Sequence, residues 1–112
     1  MRTLLARAQR RQEEWDSLRR KVREALPGLV KVLVEDYGAR RVTLFGSLLG
    51  ATPSESPDID LLVEGLVPDR RAEARGRLFL LAPLPVDLVP LDVARPEIVA
   101  RALEDGETLY AA

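Results

Sequence analysis

Three short β-prone runs, each closed by glycine or proline, limit this chain to a small sheet. Arg41-Val-Thr-Leu-Phe45 ends in Gly46-Ser47, and Asp58-Ile-Asp-Leu-Leu-Val63 ends in Glu64-Gly65. Val86-Asp-Leu-Val89 lies between Pro85 and Pro90. Runs this short build narrow sheets, so helices must cover them. Upstream, apolar residues recur at Leu4, Ala8, Trp15, Leu18 and Val22 with charges between them, a helical spacing. Pro27-Gly28 predicts a break, followed by a second helix from Leu29 to Tyr37 with Gly38 as its C-terminal cap. Gly50 to Pro57 reads as a loop. A further helix is predicted from Pro68-Asp69 to Leu81, strained at Gly76, and a last one from Pro96 to Glu104, ended by Gly106. Thr108 to Tyr110 adds a short edge strand. The expected fold class is α/β (α+β), a small mixed β-sheet with flanking helices. The expected division is an N-terminal amphipathic basic helix over 1–26 and the main domain over 27–112.

Composition narrows the chemistry. The chain has 112 residues and contains neither cysteine nor histidine. That excludes disulfides, thiolate nucleophiles, histidine-based triads and the usual zinc sites. Acid–base or metal chemistry must therefore run on carboxylates. Residues 1–26 carry eight basic against four acidic side chains, a balance of +4, and the remainder nine against fourteen, or −5. The basic helix allows two readings, a solvated face or a contact with RNA. No run is long enough to span a bilayer and the N-terminus lacks a signal-peptide core, so the cytoplasm is the expected location.

The carboxylates that matter lie on the strands. Residues two apart on a strand point to the same face, so Asp58 and Asp60 project together at the start of an apolar run. Two converging carboxylates repel unless a cation separates them, and a hard divalent ion suits that gap. The plainer reading is a pair of solvated aspartates at a strand entrance. Asp87 interrupts an apolar strand, where an aspartate is costly unless paired, hydrogen-bonded, metal-bound or turned to water. Asp92 competes with it but suits a turn before the last helix. Gly46 permits close backbone approach, and Ser47 can cap the turn behind it, leaving N–H groups for a phosphate. An ordinary turn with a capping serine is the alternative.

In combination these residues say more. Leu44-Phe-Gly-Ser47, ten residues, then Asp58-Ile-Asp60-Leu-Leu-Val resembles the signature of the minimal nucleotidyltransferase family of the DNA polymerase beta superfamily. Val86-Asp87-Leu-Val resembles the strand that supplies that family's third carboxylate. Ile98 to Tyr110 is similar to the way its members end. The resemblance covers residues 27 to 110. It implies a nucleotidyltransferase fold, with Asp58, Asp60 and Asp87 as catalytic residues binding two Mg²⁺ ions (Mn²⁺ is also accommodated), and with Gly46 and Ser47 at the nucleotide. Asp58 and Asp60 would hold both ions, one gripping the triphosphate of ATP or another NTP. Asp87 would complete the second site, where an acceptor hydroxyl is activated.

One position departs from the family. Its common Gly-Ser-Arg-x-x-Gly pattern reads Leu48-Leu49-Gly50-Ala51 after Ser47, so a basic phosphate contact is missing. Arg40, Arg41, Arg70 and Arg71 are the candidates to replace it. The family's habit implies transfer of NMP, AMP in the first instance, with a HEPN-type toxin as partner; a second copy of the chain is the other expected partner. The alternative is an antitoxin or regulatory binding module whose transferase site is vestigial.

Overall fold

The computed structural model describes residues 2–112. Helix α1 runs over Arg2–Glu35, strand β1 over Arg41–Phe45 and strand β2 over Ile59–Glu64. Helix α2 covers Arg71–Leu81, strand β3 Val86–Pro90, helix α3 Pro96–Asp105 and strand β4 Glu107–Ala111. The sheet order is β3-β2-β1-β4. β1 pairs antiparallel with β2 and β4, while β2 pairs parallel with β3, so the sheet is mixed as predicted.

Alternation along the strands splits the core between two faces. Val42, Leu44, Ile59, Leu61, Val63 and Leu88 point to one side, where α1 and α2 cover them. Phe45 and Leu62 point to the other, where Ala102 and Ile98 of α3 close over them. Asp60 lies on this second face, between Phe45 and Leu62 in the alternation. The charged end of the sheet is therefore on the α3 side.

The break expected at Pro27-Gly28 does not occur. α1 is one helix of 34 residues with Pro27 inside it. Proline removes one backbone hydrogen bond and costs about 3 kcal/mol in a helix interior. Trp15, Val22, Leu26, Leu29 and Leu33 recur on one face, and all are buried in the same core. Each such side chain contributes about 1.5–3 kcal/mol on burial, so the residues flanking Pro27 offset its cost. Pro27 itself is exposed, which spares its ring any clash with the sheet. The expected boundary after residue 26 thus falls inside α1. The predicted apolar stripe divides: Trp15 and Val22 are buried in the core, while Leu4 stays 67% exposed.

Gly38 performs its predicted role. With φ at 73° it turns the chain out of α1, and its N–H donates to the Val34 carbonyl at 3.2 Å. Gly76 leaves α2 unbroken; it is exposed, so the helix loses only a side chain there. Among the described residues no helix is long and apolar enough to cross a membrane.

Candidate active site

β1 delivers the chain to the site at Phe45, whose register partner on β2 is Asp60. Gly46 then leaves the strand at φ 88° and ψ −158°, a region essentially restricted to glycine. A side chain there would also collide with Asp60: a Cβ on Gly46 would lie 2.2 Å from Asp60 Oδ2. Gly46 is needed on both counts, backbone conformation and space.

Ser47–Leu49 forms a single 3₁₀ turn, with Leu49 N–H donating to Gly46 O at 3.2 Å. Ser47 does not cap it. Gly46 occupies the capping position and has no side chain, so the Ser47 hydroxyl makes no capping bond and stays exposed. Leu48 is buried in the core. The segment that follows is tied to α1 rather than to the sheet. Trp15 Nε1–H donates to Gly50 O at 3.0 Å, Arg19 Nε–H to Leu48 O at 2.9 Å, and Gln12 Nε2–H to Ala51 O at 2.9 Å.

The carboxylates gather where β2 and β3 begin. Asp58 lies just before β2 and is exposed. Asp60 is partly buried on β2 and stands in register with Asp87 on β3, which is exposed. Neighbouring strands run about 4.8 Å apart, so the two side chains share one face at close range. The Asp60 carboxyl is pushed up to about 6, first by burial and then by the negative charges of Asp87 and Asp58. Both of the other predicted carboxylates therefore act on Asp60. Among the described residues no three carboxylates stand close enough together to hold a metal ion as they are placed. Asp58 and Asp87 are exposed, and carboxylate oxygens of this kind suit a hard divalent cation.

Asp92 is excluded from this set. It sits in the 3₁₀ turn Leu91–Val93 and accepts a hydrogen bond from Arg71 at 2.6 Å, which holds its carboxyl below the usual range. Arg71 also donates to Leu66 O, and Arg70 donates to Asp36 O and Glu73, so neither is available to the site. Arg40 and Arg41 stand at the opposite end of β1 from Gly46, beside Glu64. None of the four takes the place of the missing basic residue.

Sequence reasoning missed one group. Arg101 on α3 is the cation whose charge opposes the rise at Asp60. It lines a cleft of about 330 Å³ with Gly46, Leu49, Gly50 and Asp105. Its position beside Ala102, which packs on Phe45 and Leu62, follows from the helix docking, and no local motif marks it.

A mixed sheet carrying a Gly-Ser turn on one strand and carboxylates on the next two defines a nucleotidyltransferase-type α/β fold, and solved structures share it. A mutant of the toxin–antitoxin MntA-HpeT is 26% identical, with a TM-score of 0.65 over 77% of this chain and 72% of that one. A toxin–antitoxin with AMP-PNP is 26% identical, with a TM-score of 0.63 over 76% and 73%. A tri-AMPylated HEPN toxin in complex with an MNT antitoxin, from Shewanella oneidensis, is 22% identical, with a TM-score of 0.52 over 88% and 73%. The resemblance to minimal nucleotidyltransferases read from the motifs thus holds in three dimensions. No family model matches the chain, and no curated protein does.

Proposed function

We propose that the chain is a metal-dependent nucleotidyltransferase that moves NMP, in the first instance AMP from ATP, onto an acceptor hydroxyl of a protein partner. The observation that carries this reading is the in-register pair Asp60 and Asp87, set beside a glycine whose bare backbone leaves the Asp60 carboxylate open. Asp58, Asp60 and Asp87 would hold two Mg²⁺ ions, or Mn²⁺. When bound, the ions neutralise the triphosphate and favour ionisation of the acceptor hydroxyl. Asp60 and Asp87 are placed by their paired strands, while Asp58 lies just ahead of β2. The Ser47 hydroxyl and the first amides of its turn, which lack partners inside the turn, contact the phosphates. The acceptor oxygen bonds to the α-phosphorus as the bond to the bridging oxygen breaks. Pyrophosphate leaves on the far side, and the hydroxyl proton passes to Asp87, an exposed carboxylate in register with Asp60.

A HEPN-type toxin is the partner this reading favours, and the cytoplasm its location. Support comes from the likeness to toxin–antitoxin complexes, one with AMP-PNP and one with an AMPylated HEPN toxin. The test is transfer of label from α-labelled ATP to a co-expressed toxin. Asp58→Asn combined with Asp60→Asn should abolish transfer while leaving the fold and the complex intact. Absence of transfer by the wild type onto any cellular protein or RNA, with Mg²⁺ or Mn²⁺, would sink the enzyme reading.

One observation favours a second reading, a binding antitoxin without catalysis. Leu48 stands where the family pattern carries a basic residue, and it is committed to the core. Under this reading the double variant neutralises a toxin as well as the wild type does.

A further inference from the structure

The carboxylate cluster presents negative charge to a polyanionic nucleotide, so binding requires a cation placed to meet the phosphates. Several arginines of the fold are already engaged elsewhere. Arg19, Arg70, Arg71 and Arg75 donate to backbone carbonyls, and Arg23 and Arg77 pair with Glu107 and Asp36. These contacts hold α1, α2 and the sheet together. Arg101 is exposed, and among the described residues it enters no ion pair and no side-chain hydrogen bond. Asp105, one helical turn along, lies in the same cleft without pairing to it.

The cleft itself has two walls. One is the turn, through Gly46, Leu49 and Gly50; the other is α3, through Arg101 and Asp105. Arg101 is the cation of this lining. We propose that Arg101 is the polyphosphate-binding residue of the site, its guanidinium meeting the β- and γ-phosphates of a nucleoside triphosphate across the cleft from Gly46. A guanidinium suits this task because its planar fork donates two parallel hydrogen bonds to phosphate oxygens. A cation on α3 thereby supplies the charge absent at Leu48 and Leu49. The inference rests on the transferase reading and adds to it how the triphosphate is held.

Titration calorimetry with Mg²⁺ present, using ATP, AMP and inorganic tripolyphosphate on wild type, Arg101→Ala and Arg101→Lys, tests it. Arg101→Ala should weaken ATP and tripolyphosphate by about tenfold or more and AMP by less than about threefold, with Arg101→Lys between them. Circular dichroism and the urea midpoint should not move, because the side chain is exposed and unpaired. Equal ATP affinity in wild type and Arg101→Ala overturns the assignment and leaves the transferase reading standing. An equal loss for AMP and ATP also overturns it, since the residue would then act on the shape of the site. If the wild type binds neither ATP nor tripolyphosphate, both readings fall together.

Discussion

Asp60 and Asp87 stand opposite one another across the parallel pairing of β2 and β3, one carboxyl partly buried and the other exposed. This makes the metal-free protein pH-sensitive in a defined direction. The folded Asp60 titrates at about 6 against an ordinary value of 3.8, so the folded state binds its proton more tightly than the unfolded chain does. Stability from this group is fully present below pH 3.8 and is lost as pH rises through about 6. With solvent screening discounted, the loss is about 1–2 kcal/mol. In EDTA, wild type should therefore fall behind Asp60→Asn between pH 4 and pH 7 in urea unfolding. A difference between the two that does not change with pH would remove the repulsion from the account.

Gly46→Ala tests the close approach at the strand end. The backbone there costs a non-glycine residue about 1–3 kcal/mol, and the new methyl group must displace the Asp60 carboxylate. We expect a folded but less stable protein with greatly reduced Mg²⁺-dependent nucleotide binding. Unchanged nucleotide affinity in a thermal-shift titration would show that the gap between Gly46 and Asp60 is not used.

Trp15→Ala should cost about 3–5 kcal/mol, the range for deleting a large buried aromatic side chain. Trp15→Phe keeps most of the packing and loses the hydrogen bond to Gly50, so about 0.5–1.5 kcal/mol is expected. Urea midpoints separate the two. Near-equal losses would mean that the hydrogen bond, rather than the ring, carries the effect.

Pro27→Ala should stabilise the protein by about 1–3 kcal/mol by restoring a helical hydrogen bond at an exposed position. A destabilised variant would instead assign Pro27 a packing role in the groove it shares with Leu26, Val30 and Tyr110.

Much of this architecture could be read directly from the residues. The strands announced themselves by length and by the glycines and prolines around them, and the spacing of Asp58 and Asp60 gave their shared face. Gly38 was legible because a left-handed turn at a helix end has one favoured occupant. Pro27 misled, because its cost is local whereas the burial of Leu26 and Leu29 that outweighs it depends on the assembled sheet. Ser47 misled by one position: the backbone conformation at Gly46 takes the capping place before the hydroxyl can. Arg101 was illegible for a different reason. Its neighbourhood with Gly46 joins residues 46 and 101, and only the docking of α3 on Phe45 and Leu62 creates it.

Gln12, Trp15 and Arg19 lie on one side of α1, and each holds a carbonyl of the stretch from Leu48 to Ala51. The consequence is mechanical. The Gly-Ser turn is hinged to the sheet at one end and bolted to a long rod at the other, so it has little freedom to move alone. A slide or tilt of the rod is transmitted to the turn, and with it to the width of the gap facing Asp60.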